Sequence, residues 1–173
     1  MEHSPTHLSV DNEITLEKDA FIISKTDLND CITYANQNFF QISGYSEKEL
    51  IGKNHDIIRN NLMPLGIYNL MLEHLNAKEE FFGYIVNRNK DKSYYWTLIN
   101  ISPFYEKDKL TGYFAVHRAP SAQALNIIKP LYQLMCQTEK SASPEQQLPM
   151  SSAILWQAIT KEYQTYAEFI LSL

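Results

Sequence analysis

The sequence predicts an α+β fold: a five-stranded antiparallel sheet with short helices over one face, extended at its C-terminal end by further helices. Three observations carry that prediction. Two short β-rich runs come first, a series of short capped helices follows, and three longer strand-like runs joined by polar turns come last. The resulting order is β-β-α-α-α-α-β-β-β.

Residues 1–17 are polar and lack sustained periodicity, so they read as a loosely docked N-terminal cap. Phe21-Ile22-Ile23-Ser24 is a β-rich run that ends in polar residues, and Cys31-Ile32-Thr33-Tyr34 follows closely enough to form a hairpin with it. Asn36 is suited to cap a short helix carrying Phe39, Phe40 and Ile42, and Gly44 is suited to end it. Ser46 and Glu49 have capping-box spacing and announce a second short helix, ended near Gly52. Residues 53–63 suggest one more helical turn and a loop. Pro64 then starts a longer helix, reaching about Asn76, with Leu65, Tyr68, Met71, Leu72 and Leu75 at helical spacing. Strand-like runs at Phe82–Asn87, Ser93–Phe104 and Thr111–Arg118 are separated by short polar turns, the pattern of an antiparallel meander.

Beyond Pro120 a helix is expected over about 122–137, carrying Leu125, Ile128, Leu131 and Leu134. Residues 138–149 read as a polar, proline-bounded linker. A final amphipathic helix is expected from Ser151, with Leu155, Ile159, Tyr163, Tyr166, Ile170 and Leu173 along one stripe. The domain division is therefore 1–17 cap, 18–120 central domain and 121–173 helical extension.

Composition excludes several function classes. The 173 residues carry 15 Lys+Arg against 20 Asp+Glu, a net charge of −5, which argues against general nucleic-acid binding. No apolar run approaches the ~20 residues of a membrane-spanning helix. The N-terminus lacks the basic and apolar regions of a signal peptide, so a cytoplasmic location is expected. Cys31 and Cys136 are too few for a disulfide framework and lack metal-ligand spacing. The 11 Tyr and 8 Phe against 5 Gly suggest either a lined cavity or an aromatic-rich core. No nucleophilic triad, paired-carboxylate motif or phosphate-binding glycine loop appears, so a non-enzymatic role is expected.

The element order, with Ile32-Thr-Tyr-Ala-Asn36, Phe39, Ser43-Gly-Tyr45, Glu49-Leu-Ile-Gly52 and Tyr95-Trp96, resembles a PAS domain. Gly52-Lys-Asn-His55, Ile58-Arg59, Met63-Pro64, Gly83-Tyr-Ile-Val-Asn87-Arg88 and Gly112-Tyr113 are similar to the PAS domain of bacterial aerotaxis receptors, and Lys129-Pro-Leu-Tyr132 extends the likeness beyond the last strand. That resemblance implies a sensory domain holding FAD noncovalently between helices and sheet, and passing redox or oxygen status to a signalling partner. It also implies a homodimer. A PAS module binding another small ligand, or serving protein interaction without flavin, is the alternative.

The resemblance carries a candidate cofactor set of Asn36, His55, Arg59, Asn60, Tyr68, Phe81 and Asn87. Asn36 and Asn87 would present amides to the ring edge. Arg59, with His55 close by, would meet the phosphates through its planar fork. Tyr68 and Phe81 would pack on the ring or adenine. Asn60 stands where the aerotaxis pattern has His, Leu62 where it has Asp, and Phe81 where it has Trp. Each residue also has a structural reading: Asn36 as an N-cap, Arg59 as a solvated charge, His55 as a hydrogen-bonded structural histidine, Tyr68 and Phe81 as core. A buried amide at Asn87, inside a strand, must find partners on another strand or on a ligand. His55 occupies the position where light-sensing relatives carry a reactive cysteine, which removes photoadduct chemistry. Haem would need an axial ligand, for which His74 is the one candidate on its helix.

Overall fold

The computed structural model describes residues 12–160 and 162–173. Strands β1 (Ile22–Asp27) and β2 (Ile32–Ala35) form the first hairpin, and β3 (Phe81–Arg88), β4 (Tyr94–Glu106) and β5 (Lys109–Arg118) form the meander. All neighbours pair antiparallel in the order β2-β1-β5-β4-β3, so β1 lies beside the last strand and closes a single sheet. Gly112 makes that closure possible: a Cβ there would collide with the Thr26 carbonyl oxygen on β1.

The inner face is crossed by α1 (Gln37–Ser43), α2 (Glu47–Leu50), a 3-10 turn (His55–Ile58) and α3 (Leu65–Asn76). Their caps match the sequence signals. Asn36 accepts from the Phe39 amide, Gly44 takes φ 72° at the end of α1, and Ser46 with Glu49 closes a capping box. The expected fold class is the observed one.

The outer face is covered by α4 (Ala122–Ser141), whose Ala124, Ile128, Tyr132 and Met135 are buried. The Tyr132 hydroxyl donates to the Tyr84 carbonyl at 2.8 Å, and the Tyr132 ring lies 5.7 Å from Trp96. The Trp96 ring, 5% exposed, is thereby covered by α4.

The helical extension departs from expectation in two places. The stretch 138–149 is helical at both ends, with Ala142 and Ser143 alone between α4 and α5 (Pro144–Ile159). Pro144 sits at the start of α5, where a missing N–H costs nothing, and Pro149 frees a carbonyl at the exposed Glu145. The expected single final helix is two, because α6 (Tyr166–Ser172) starts afresh from a capping box between Thr165 and Glu168. Leu155, Ile159, Tyr166 and Ile170 are nonetheless buried in the main core.

Of the expected N-terminal cap, residues 1–11 lie outside the described residues. Residues 12–17 dock on the domain: the Ile14 amide donates to the Tyr94 carbonyl at 2.7 Å, and Glu13 pairs with Lys129 of α4 at 2.7 Å. No helix among the described residues is long and apolar enough to cross a membrane.

Candidate functional site

Strand alternation places Ile85 and Asn87 of β3, Ile99 and Ile101 of β4, and Tyr113, Ala115 and His117 of β5 on the inner face. Facing them, the helical spacing of α3 presents Tyr68, Met71, Leu72 and Leu75. The 3-10 turn contributes His55, Asp56, Ile58 and Arg59, and the β1–β2 turn contributes Leu28 and Asp30. Together they bound a solvent-open cleft with a cavity volume of about 190 Å³. A single backbone bridge, Arg59 to Asn87, pins the 3-10 turn to β3.

Its closed end is apolar apart from three side chains. Asn87 and His117 are 3% and 1% exposed, and the Nδ2 of Asn87 and the Nε2 atoms of His55 and His117 have no hydrogen-bond partner. Unpaired buried groups of this kind are costly unless something occupies the space beside them. His117 Nδ1 lies 3.2 Å from Thr97 Oγ1, and that hydroxyl donates to the Ile85 carbonyl. The hydroxyl oxygen therefore accepts from Nδ1–H, which leaves His117 Nε2 as a bare acceptor.

The imidazoles of His55 and His117 are nearly parallel, with centroids 6.5 Å apart. Burial pushes His55 down to about 4 against the opposing pull of Asp56, and burial together with His55 pushes His117 down to about 3. Both rings are neutral at pH 7.

The open side is charged. Arg59 stacks 3.8 Å over the Tyr68 ring centroid and approaches Asp56 at 3.4 Å. Burial raises the Tyr68 hydroxyl to about 12, with Arg59 opposing. Asp30 is raised to about 6 by partial burial and by the neighbouring charges of Asp56 and Asp27.

Of the seven candidate residues, the fold brings His55, Arg59, Tyr68 and Asn87 together around the cleft. Asn36, Asn60 and Phe81 are not among its lining residues. The Asn36 amide is consumed by the protein: Nδ2 donates to the Phe21 carbonyl at 2.8 Å, and Oδ1 accepts from Ile23 and Phe39, each at 3.1 Å. Asn60 Oδ1 accepts from the Leu62 amide at 3.0 Å. Phe81 stacks on Tyr166 at 5.7 Å, with His74 edge-on at 5.9 Å, so both aromatic partners are structural. His74 itself bonds the Leu70 carbonyl within α3 and does not line the cleft.

Sequence reasoning missed His117, Thr97 and Asp30. The available signal for His117 was its period-2 spacing with Tyr113 and Ala115, which puts all three on one face of the strand. Among the described residues no group of three or more His, Cys, Asp or Glu could hold a metal.

The Aerotaxis receptor of Escherichia coli (strain K12) is 32% identical over 120 residues, covering 69% of this chain and 24% of that protein. The Nitrogen fixation regulatory protein of Klebsiella pneumoniae is 31% identical over 104 residues, covering 60% of this chain and 21% of that protein. The chain thus spans less than a quarter of the length of these relatives. Among solved structures, the light state of the blue-light photoreceptor Aureochrome1 LOV superposes with a TM-score of 0.55 at 18% identity, covering 64% of this chain and 88% of that one. That likeness is one of fold. The five-stranded sheet, the cleft beneath α3 and a match of residues 17–119 to the family described as PAS fold agree, and the chain belongs to that family.

Proposed function

We propose that this chain is a non-enzymatic sensory PAS domain whose cleft binds a flavin, with FAD the form that the likeness to aerotaxis receptors suggests, and that it reports redox or oxygen status to a signalling protein. One observation carries the reading. Three enclosed nitrogens without protein partners, on Asn87, His55 and His117, face a slot walled by Tyr68, Met71, Ile85 and Ile99. A flat ring with a polar edge needs such a slot.

In this reading Asn87 Nδ2 would donate to a ring carbonyl and His117 Nε2 would accept a ring N–H. Apolar side chains exclude water from the ring faces. When bound, the flavin supplies reversible reduction, which changes charge and hydrogen bonding at its ring edge. Asn87 feels that change from a strand whose opposite face, at Tyr84 and Val86, packs beneath α4. α3 carries the cleft wall on one side and contacts α5 on the other, so α4 and α5 can each relay it to a partner.

The test is to purify the protein, record its visible spectrum, and release and identify any chromophore. A flavin spectrum, lost in Asn87→Ala, is the expected result. A colourless protein that takes up no added flavin supports the second reading, a small-ligand or interaction module. The engagement of Arg59 by Asp56 and Tyr68 favours that second reading.

A further inference from the structure

The open side of the cleft has a charge pattern of its own. Of the residues lining the cleft, Arg59 is the one cation, since His55 and His117 are neutral. Its guanidinium is already shared between Asp56 at 3.4 Å and the Tyr68 ring face at 3.8 Å. Asp30 and Asp56 line the same opening, with Asp27 close enough to act on Asp30. Leu28 and Leu72, 53% and 52% exposed, mark this as the solvent side. A ring seated on Asn87 and His117 whose side chain leaves between the exposed Leu28 and Leu72 would pass these carboxylates. The first turn of the 3-10 helix gives no help to an anion there, because the Asp56 amide is already bonded to Asn54 Oδ1 at 2.9 Å.

We infer that the cleft selects the ring and polyol of a flavin and disfavours its phosphate, so that riboflavin binds more tightly than FMN or FAD at low ionic strength. This rests on the flavin reading above and departs from it in the form bound, putting riboflavin in place of FAD as the preferred ligand. The carboxylates of Asp30 and Asp56 repel a phosphate that leaves by this side, and Arg59, held by Asp56, offsets only part of that repulsion. Salt screens the repulsion, so raising it improves the phosphorylated forms relative to riboflavin. A phosphate held by a free arginine responds to salt in the opposite sense.

The experiment uses the full chain stripped of any bound flavin. Dissociation constants for riboflavin, FMN and FAD are measured by flavin fluorescence at about 0.02 M and about 0.5 M salt. Riboflavin is expected to bind tightest at low salt, with the gap to FMN narrowing at high salt. Asp56→Asn frees Arg59, and Asp30→Asn keeps a residue tolerant of the φ of 59° at this position. Each is expected to tighten FMN by about two- to fivefold relative to riboflavin. Tighter FMN or FAD than riboflavin, weakened by salt, overturns the inference and leaves the flavin reading standing. Failure of all three to bind overturns both.

Discussion

The backbone amide of Leu65 donates to the buried carboxylate of Glu139 at 2.7 Å, joining residues 74 positions apart. The Ser151 hydroxyl donates to the same carboxylate, and its oxygen accepts from the Gly66 amide at 3.3 Å. The N-terminus of α3 is thus capped by the helical extension, through a charge that suits the positive end of a helix. Glu139→Ala strands two buried donors and is expected to cost about 2–4 kcal/mol. Glu139→Gln keeps an acceptor and is expected to lose less than half of that. Urea unfolding midpoints of the two variants against the parent measure the difference.

Gly66 sits at the closest approach of α3 to α5. A Cβ there would lie 2.8 Å from Ser151 Oγ, 3.1 Å from Met135 Cε and 3.2 Å from the Ser152 backbone nitrogen. Helix propensity alone favours alanine at such a site by about 1 kcal/mol. The serine hydroxyl and methionine tip can move, but the backbone nitrogen cannot without shifting α5. Gly66→Ala is therefore expected to destabilise by about 1–3 kcal/mol, the reverse of the propensity. A stability equal to or above the parent's would show that the two helices are not held at this spacing.

The sheet and its short helices were legible because their signals are local. Asn36, Gly44 and the Ser46–Glu49 box fix helix ends within a few residues, and strand alternation sorts Ile85 and Asn87 from Tyr84 and Val86. The extension was harder to read because Pro144 looks the same as a helix start and as a linker boundary. Only the burial of Ser151 against Glu139 decides between them. The Thr165–Glu168 box was present in the sequence and masked by the apolar stripe running through it. At the cleft, Arg59 and Asn87 were found from resemblance. For His117 the period-2 spacing gave the strand face, and its role followed once β5 lay beside β4 and Thr97 was seen to orient its ring.

The buried imidazole of His117 and the half-buried one of His55 make the domain acid-sensitive. Native His55 and His117 titrate near 4 and 3, whereas an unfolded histidine titrates near 6.5, so the unfolded chain binds more protons below that pH. Their contribution is complete above pH 6.5 and is lost progressively as the pH falls toward 4. The loss by pH 4 is expected to be about 2–3 kcal/mol for each ring. Asp30 acts in the opposite direction between about 6 and 4, because its folded carboxyl holds a proton more tightly than an unfolded one. Exposure to solvent makes that opposing contribution small. Unfolding midpoints from pH 7.5 to 4 (about that range) should fall steeply for the parent and less so for His117→Gln. Parallel curves for the two would refute the assignment.

Phe81 and Tyr68 separate structural aromatics from those at the cleft. Phe81 is fully buried between Tyr166 and His74, outside the cleft lining, so Phe81→Leu removes packing without touching the ligand space. It is expected to lower stability by about 1–2 kcal/mol and leave flavin affinity within about twofold. Tyr68 lies under the Arg59 guanidinium on the cleft wall, and Tyr68→Leu keeps the bulk while losing the aromatic face. There the expectation inverts: a smaller stability loss, with flavin affinity reduced about five- to tenfold as the cleft loses an aromatic wall. Paired urea titrations and flavin binding isotherms for both variants check the contrast. If Phe81→Leu instead abolished flavin binding at unchanged stability, the ring would have to sit at the far end of α3, beside Tyr166, and the cleft assignment would be wrong.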